Sequence, residues 1–404
     1  MEEASKASKA SIYSAGYSDK CGTYRSESKK PHRSIGFAFH STIPDKRECS
    51  YLGPNHSWRF DLDTIINVFR HIPVQFLYPI LNVVHCIYYK LYFYLLAIAH
   101  FCFSSDLKLS QAATKPLHQT LSSANAFQHE SKRVIYIRHG ESEWNVIFNR
   151  PWNSSTLLHA IHAIFKEFIA IPTCRSIFLD SPLSTTGVRQ SLLLQKRICS
   201  IPAAANDYST SSPLTLLKCL QTPSADTIVV TSNLKRSIQT ALIASKERFL
   251  FCQEKLYVSS SLQEIGRNID TLSLGELAHN SSDDIDTTSN CYKDSVSKYS
   301  GRKLSIERKK TKLNWSWNYG NKAVFGCAEA RMKQFLKWMF TRREHIVIVY
   351  GHSLWLQEFC KQYLTPGVDH PVKNLKLHNC EVVSFVVGHH QGRYYIEPKS
   401  FLFL

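Results

Sequence analysis

The sequence lacks the cysteine patterns of metal-binding and disulfide-stabilised domains. Its 12 cysteines stand singly, with no CxxC pair and no regular spacing. Neither a zinc site of the usual spacing nor a disulfide framework is therefore expected, and reduced thiols facing the cytosol are the default. The chain also begins MEEASKASKASIYSAGYSDK, without the apolar core behind a positive start that defines a secretory signal peptide.

Signatures of nucleic-acid recognition are missing as well. No aromatic-interleaved RNA-binding motif and no zinc-finger spacing occurs, so no nucleic-acid partner is expected. Positive charge is abundant, with 49 Lys and Arg against 32 Asp and Glu and a formal net charge of +17. A basic chain attracts phosphate-bearing partners, such as anionic lipid or a small phosphorylated substrate, unless its Lys and Arg merely solvate the surface.

Three segments of different composition precede the part of the chain that carries chemical motifs. Residues 1–59 are polar and rich in Ser and Lys, which predicts a disordered tail. Residues 60–103 form a hydrophobic segment with helical character, and residues 104–131 are a linker rich in Ser, Gln and Ala. The sequence therefore predicts a helical extension ahead of a separate globular domain.

The hydrophobic segment contains an apolar run, 81–103, that is long enough to cross a bilayer as a helix. Lys90 interrupts this run, so three interpretations stay open: a membrane span, an interfacial helix, or a helix that packs on the following domain. Membrane association through 60–103 is favoured, with the catalytic domain on the cytoplasmic side. A soluble cytoplasmic protein is the alternative.

Residues 132–404 show the pattern of an α/β domain. Continuous apolar, β-branched runs occur at 132–137, 227–231 and 345–350, and helical spacing follows the second and third. Such alternation predicts a mostly parallel central sheet covered by helices on both faces. The basic, Ser-rich stretch 281–312 is predicted to be a polar surface insertion.

The first motif, Arg138-His139-Gly140-Glu141-Ser142-Glu143-Trp144-Asn145, directly follows a predicted strand. The carboxyl end of a parallel strand is where α/β sheets bind their ligands. There His139 can present a ring nitrogen to phosphorus, while the planar guanidinium of Arg138 can hold phosphate oxygens. Gly140 permits close approach of the backbone.

Two further motifs follow the other predicted strands. Arg236 lies in Ser-Asn-Leu-Lys-Arg-Ser-Ile-Gln-Thr after the second strand, and His352 lies in Tyr-Gly-His-Ser after the third. Fixed guanidinium groups can stabilise the charge that spreads over the equatorial oxygens of a transferring phosphoryl group. If protonated, His352 adds positive charge there.

Together these motifs resemble the signatures of the histidine phosphatase superfamily, which includes the cofactor-dependent phosphoglycerate mutases. The resemblance runs from Arg133 onward and implies that fold. It also implies that His139 becomes phosphorylated and that four residues bind the phosphoryl group: Arg138, Asn145, Arg236 and His352. The stretch 183–190 is similar to a helix opening of the family, with Ser184 as the predicted N-cap.

A leaving alkoxide needs a proton, so a carboxylic acid is expected near the phosphorus. Glu264 lies between the second and third motifs, where the family usually supplies its acid, and is our candidate. Glu276 and Glu141 are weaker rivals. Other branches place the acid directly after the last histidine, but here Ser353 occupies that position.

These features predict a metal-independent phosphomonoester hydrolase that works through a phosphohistidine on His139, without a cofactor. A small phosphorylated substrate of unknown identity is its expected partner. Two alternatives are a phosphoglycerate mutase-type transferase and a membrane-tethered module that binds phosphorylated ligands without turnover. An apolar stretch between Asn145 and Asp180 departs from the mutases, which puts mutase activity in doubt. A fragment that begins near residue 125 is expected to be soluble and active.

Overall fold

The structure, a computed structural model, describes most of the chain after residue 73. The residues described are 74–107, 130–151, 153–173, 175–202, 212–250, 252, 254–275, 313–364, 368–374 and 376–404. The predicted tail 1–59, most of the predicted linker, the insertion 281–312 and the rival acid Glu276 lie outside these residues.

The strands within the described ranges form one mixed sheet with the order β4-β3-β2-β5-β1-β6-β7, and β8 pairs with β6. The strands are β1 (Glu130–Arg138), β2 (Thr227–Ser232), β3 (Leu256–Ser259), β4 (Leu313–Trp317), β5 (Ile346–Gly351), β6 (Val382–His390), β7 (Arg393–Ile396) and β8 (Leu402–Phe403). From β4 to β1 all neighbours run parallel, whereas β6 is antiparallel to β1, β7 and β8. The predicted mostly parallel sheet is confirmed.

Nine α-helices and four short 3-10 helices occur in the same part of the chain. The α-helices are α1 (Val74–Phe103), α2 (Glu143–Phe148), α3 (Ser154–Ile169), α4 (Thr185–Cys199), α5 (Pro213–Gln221), α6 (Lys235–Ala244), α7 (Lys246–Leu250), α8 (Ala328–Phe340) and α9 (Ser353–Tyr363). Ser184 caps α4, since its side chain accepts a hydrogen bond from the Gly187 amide. The predicted N-cap is confirmed.

Helices cover both faces of the sheet, as predicted. In β1, Val134 and Tyr136 point into a core with α8 and α9, while Ile135 and Ile137 point into a second core with α4, α5 and α6. This alternation follows from the period of two along a strand, and apolar residues at successive positions of β1 therefore fill both cores.

The long helix α1 packs on the α/β domain along one narrow stripe. The buried positions recur every three or four residues, as expected for one helix face: Cys86, Lys90, Phe93, Ala97 and His100. Phe93 and Ala97 pack with Leu179 and Leu272 of the domain. From Pro79 onward, the rest of the helix is largely exposed. By length and composition alone, Pro79–Phe103 is apolar enough to cross a membrane.

Lys90, which interrupts the apolar run in the sequence, lies buried in this stripe. Its Nζ donates to Oε1 of Glu167 at 3.2 Å and to the carbonyl of Ala170 at 2.6 Å. The Tyr94 hydroxyl donates to the same Glu167 oxygen at 2.9 Å. The positive charge is therefore paired inside the protein and does not interrupt the exposed apolar face.

Candidate active site

The three predicted motifs meet because β2, β5 and β1 are neighbours with parallel direction, so their carboxyl ends share one edge of the sheet. His139 follows β1, His352 follows β5, and Arg236 lies in the first turn of α6 after β2. The two histidine rings are 5.0 Å apart between centroids. Arg236 Nε lies 3.2 Å from His139 Nε2.

Two hydrogen bonds determine which nitrogen of His139 carries the lone pair. Nδ1 lies 2.6 Å from the carbonyl oxygen of Gly140. A carbonyl only accepts, so Nδ1 carries the proton and Nε2 carries the lone pair. Nε2 accordingly accepts from Arg236. Burial, together with the charges of Arg236 and Arg138, lowers the pKa of His139 well below its ordinary value, so the ring is neutral and nucleophilic at neutral pH.

The backbone around His139 is tightly fixed. A Cβ on Gly140 would lie 2.6 Å from the carbonyl oxygen of Gly187, so the loop passes directly over the start of α4. The Gly140 amide donates to Thr240 at 3.0 Å, and Asn379 donates to the His139 carbonyl at 2.9 Å. Within the described residues, Nε2 has one hydrogen bond, from Arg236, and the backbone contacts hold the ring in place.

His352 is held from both sides. Its Nε2 lies 2.8 Å from the Ser232 hydroxyl, and the Tyr136 hydroxyl accepts from its amide at 2.8 Å and donates to its carbonyl at 2.9 Å. A Cβ on Gly351 would lie 2.2 Å from that hydroxyl, so only glycine fits there. Burial, followed by the charge of Arg236, lowers the pKa of His352 well below its ordinary value. The free protein therefore carries a neutral His352 rather than the positive charge considered from sequence.

Glu264 lies beside His352, with Oε2 3.7 Å from His352 Nδ1. It follows β3, the strand next to β2. Its Oε1 accepts from the amides of Ile265 at 3.0 Å and Trp355 at 3.2 Å. Burial raises the pKa of Glu264 to about 7 against the opposing charge of Arg236. A carboxyl that is about half protonated at neutral pH suits a general acid.

The rival acid Glu141 is engaged elsewhere. Its carboxylate accepts from Arg150 at 2.8 Å and from the Ser184 hydroxyl at 3.0 Å. Among the described residues, Glu264 provides the carboxylate that lies close to the ring nitrogens of both His139 and His352. The structure thus brings together His139 and Glu264, and their roles as nucleophile and acid stay predictions.

Two acidic residues that sequence analysis missed hold Arg236 and the start of its helix. Its Nη1 donates to the carbonyl of Asp270 at 2.8 Å and lies 3.3 Å from the carboxylate of the same residue. Asp180 caps α6 from another part of the chain, because its Oδ1 accepts from the Lys235 amide at 2.6 Å. Neither residue belongs to a motif that the sequence analysis used, and an acidic side chain alone does not identify its partner.

Arg138 and Asn145 differ in how closely they join this cluster. The buried guanidinium of Arg138 donates from Nη1 to the Leu377 carbonyl, and its Nε has no hydrogen-bond partner in the described part of the chain. Asn145 lies half-buried in α2, where its side-chain oxygen accepts from Asn149 at 2.9 Å. No contact in the described structure joins Asn145 to His139, so its role in phosphoryl binding stays a prediction.

Ligand atoms of His139, Glu264 and His352 lie within 4.8 Å of one another, which is close enough for a shared metal ion. The surroundings favour an anion instead. The lone pair of His139 faces a guanidinium, and the charges of Arg236 and Arg138 both act on the two histidines. A cation there would be repelled, whereas a dianionic phosphoryl group would be attracted and would raise the pKa values of both histidines.

Comparison with known proteins gives matches among solved structures only. No family model and no curated protein matches the chain. A mycobacterial glucosyl-3-phosphoglycerate phosphatase is 14% identical with a TM-score of 0.30, and the match covers 67% of this chain and 98% of that one. A phosphoserine phosphatase from Entamoeba histolytica is 14% identical with a TM-score of 0.30, over 67% and 95% of the two chains.

A phosphoglycerate mutase from Bacillus anthracis is 15% identical with a TM-score of 0.31, over 67% of this chain and 93% of that one. These proteins are members of the histidine phosphatase superfamily, the group that the motifs resemble. At such identities and TM-scores the matches carry no argument about activity or substrate. The function is derived from the site itself.

Proposed function

We propose that residues 132–404 are a phosphomonoester hydrolase that works through a phosphohistidine on His139. The observation that carries this proposal is the fixed tautomer of the buried His139, whose Nε2 accepts from Arg236. Ligand atoms of His139, His352 and Glu264 lie within 4.8 Å of one another. Nucleophile, anion-binding groups and acid are the three elements that in-line phosphoryl transfer needs.

In the first step, Nε2 of His139 attacks phosphorus as the bond to the leaving oxygen breaks. Arg138, Arg236, Asn145 and His352 hold the phosphoryl oxygens, and Glu264 gives its proton to the leaving oxygen. In the second step, water attacks phosphorus and the bond to His139 breaks. Glu264, now ionised, takes the proton from water, which returns the site to its starting state.

The proposal is tested with an aryl phosphate and a phosphorylated sugar acid. Full-length protein should release inorganic phosphate from p-nitrophenyl phosphate and from 3-phosphoglycerate. Isomerisation of 3-phosphoglycerate to 2-phosphoglycerate that outpaces phosphate release would identify a mutase instead. Binding of either compound without any turnover would identify a binding module, and the hydrolase proposal would then be abandoned.

Activity is predicted to survive the removal of divalent metal. The guanidinium groups of Arg138 and Arg236 provide the charge that a metal would otherwise supply. Protein dialysed against EDTA should therefore keep its full rate of p-nitrophenyl phosphate hydrolysis. Loss of activity that zinc or magnesium restores would instead assign the cluster of His139, Glu264 and His352 to a metal.

We also propose that α1 attaches the protein to a membrane in the plane of its surface. A helix that crossed the bilayer would have to leave the catalytic domain or carry polar parts of that domain into lipid, because its buried stripe packs on the domain. An in-plane helix keeps these contacts and inserts only its exposed face. The net charge of +17 suits a surface of anionic lipid.

The exposed apolar side chains of α1 support this orientation, and α3, which is joined to α1 by the Lys90–Glu167 pair, exposes more of them. On α1 they include Ile80, Leu81, Val84, Tyr88, Leu91, Tyr92, Leu95, Ile98, Phe101 and Phe103. On α3 they include Leu157, Leu158, Ile161, Ile164, Phe165, Phe168 and Ile169. Exposed apolar patches of this extent are typical of interaction surfaces.

The membrane proposal predicts a peripheral protein. Full-length protein should sediment with vesicles of phosphatidylcholine and phosphatidylserine, and carbonate should release it. The double variant Leu91→Asp/Leu95→Asp should lose sedimentation, whereas Phe325→Asp, which changes an exposed apolar residue outside α1 and α3, should not. Resistance to carbonate would show a spanning helix, and solubility in the presence of vesicles would show a helix that only packs on the domain.

A further inference from the structure

A buried cluster of three charged residues lies behind the loop that carries Glu264. Asp106, three residues after the end of α1, is 0% exposed. Its Oδ2 accepts from Lys322 Nζ at 3.0 Å, and its Oδ1 accepts from Arg331 Nη1 at 2.6 Å. The Lys322 and Arg331 side chains are themselves 1% and 12% exposed, so the carboxylate balances two cations that have little access to water.

The cluster holds the backbone on both sides of Glu264. Lys322 Nζ donates to the carbonyls of Glu264 at 2.9 Å and Gly266 at 2.6 Å, which together with Asp106 uses all three of its donors. Asp106 Oδ2 accepts from the Gly266 amide at 3.1 Å. Arg331 Nη2 donates to the carbonyl of Gln263 at 3.3 Å. The peptide groups that flank the candidate acid are thus tied to one ion cluster.

The segment that carries Asp106 is docked rather than free. The Ser105 amide donates to the Val324 carbonyl at 3.1 Å, and the Ser105 hydroxyl donates to the Gly326 carbonyl at 2.9 Å. Burial opposes ionisation of Asp106, but Lys322 and Arg331 outweigh it, and the pKa of Asp106 is lowered. The carboxylate is therefore charged at neutral pH and keeps both cations in place.

We propose that Asp106 is a positioning residue for the general acid Glu264, which it holds through Lys322, Arg331 and the loop backbone. This inference rests on the proposed function. Small displacements of a catalytic group lower the rate of a step strongly, so the rigidity of this loop matters most when the proton of Glu264 is needed. No part of the cluster touches the reacting atoms.

Asp106→Asn is the variant that tests this role. Every group that faces the carboxylate oxygens is a donor: Lys322 Nζ, the two Arg331 nitrogens and the Gly266 amide. Whichever way the new amide is turned, its NH2 group faces donors, so one anchor of the loop is lost while the side-chain volume is kept. Arg331→Lys, which keeps the charge and loses the planar fork, is a milder second variant should Asp106→Asn fail to fold.

The readout compares two substrates of the full-length protein, phenyl phosphate and p-nitrophenyl phosphate. Because p-nitrophenolate leaves without a proton, its release depends little on the placement of Glu264. For Asp106→Asn, we expect kcat on phenyl phosphate to fall about tenfold or more, with less than about a threefold fall on p-nitrophenyl phosphate. Exchange of the Gly266 amide with deuterium should become faster.

Glu254→Gln is the matched control, since it removes the charge that pairs with another buried cation, Arg248. Arg248, 0% exposed, donates to Glu254 at 2.7 Å in a part of the domain without site residues. This variant should lower thermal stability but leave the ratio of the two rates unchanged. If Asp106→Asn leaves the ratio of the rates on phenyl phosphate and p-nitrophenyl phosphate unchanged, whether or not both rates fall, the positioning role is overturned.

Failure of the inference can be told apart from failure of the proposed function. If Glu264→Gln shows the dependence on the leaving group and Asp106→Asn does not, then Glu264 is the acid and Asp106 does not position it. If wild-type protein hydrolyses neither substrate, the proposed function fails and the positioning role fails with it.

Discussion

Replacing His139 with alanine is expected to abolish turnover while the domain still folds. The imidazole is the proposed nucleophile, and a methyl group cannot form a bond to phosphorus. Wild-type protein quenched during turnover should carry acid-labile phosphate, and the variant should carry none. The measurement combines initial rates with p-nitrophenyl phosphate and trapping of labelled phosphoprotein.

The control for this prediction is His345→Ala. His345 is an exposed histidine just before β5, at the end of that strand opposite to His352. Its replacement should leave both the rate and the trapped phosphate unchanged. A His139→Ala protein that keeps even a tenth of the wild-type rate would contradict the proposed mechanism.

The sequence predicted the sheet and the meeting of its motifs because both depend on local patterns. Each β-branched run forms a strand of the expected type, and His139 and His352 directly follow β1 and β5. Once parallel strands are neighbours, their carboxyl ends share one edge, so the position of a residue after a strand suffices to place it. Ser184 was recognisable as an N-cap for the same local reason.

Such local patterns do not predict contacts between distant parts of the chain. Asp270 beside Arg236 and Asp106 beside Lys322 are pairs whose partners stand 34 and 216 residues apart. Nothing in their neighbours along the chain distinguishes these carboxylates from solvated ones. The protonation state of His352 was equally hidden, because burial lowers its pKa and burial is a property of the fold.

The segments before the α/β domain are where this limit changes the interpretation most. In the sequence, the charge of Lys90 disfavours membrane contact, but in the fold this charge is paired with Glu167. Residues 104–107, which the composition placed in the linker, contact the loop of Glu264 through Asp106. A fragment that begins near residue 125 would lack this carboxylate and leave Lys322 and Arg331 unpaired, so the expectation that it is fully active no longer follows.

Glu264→Gln is expected to slow substrates with poor leaving groups by ~10²–10⁴. The amide oxygen can still accept from the Ile265 and Trp355 amides, so the loop should stay in place. What is lost is the proton for the leaving oxygen. The loss should therefore be large with phenyl phosphate or 3-phosphoglycerate and small with p-nitrophenyl phosphate, whose leaving group needs no proton.

The pH dependence provides a second test of the same residue. Phosphorylation of His139 needs a protonated Glu264, whose pKa burial raises to about 7. The rate of this step with phenyl phosphate should therefore fall as pH rises through about 7, and the fall should vanish in Glu264→Gln. On the acid side, the lowered pKa of His139 keeps its lone pair available to well below the ordinary range of histidine.

Glu141→Gln is the matched control, because Glu141 is the rival acid within the described residues and binds Arg150 and Ser184 instead. Its effect should be the same for both aryl phosphates, and the alkaline fall in rate should remain. An equal loss for good and poor leaving groups in Glu264→Gln would mean that the proton comes from another group. Glu276, which lies outside the described residues, would then be tested next, since a carboxyl at the site is still required to protonate the leaving oxygen.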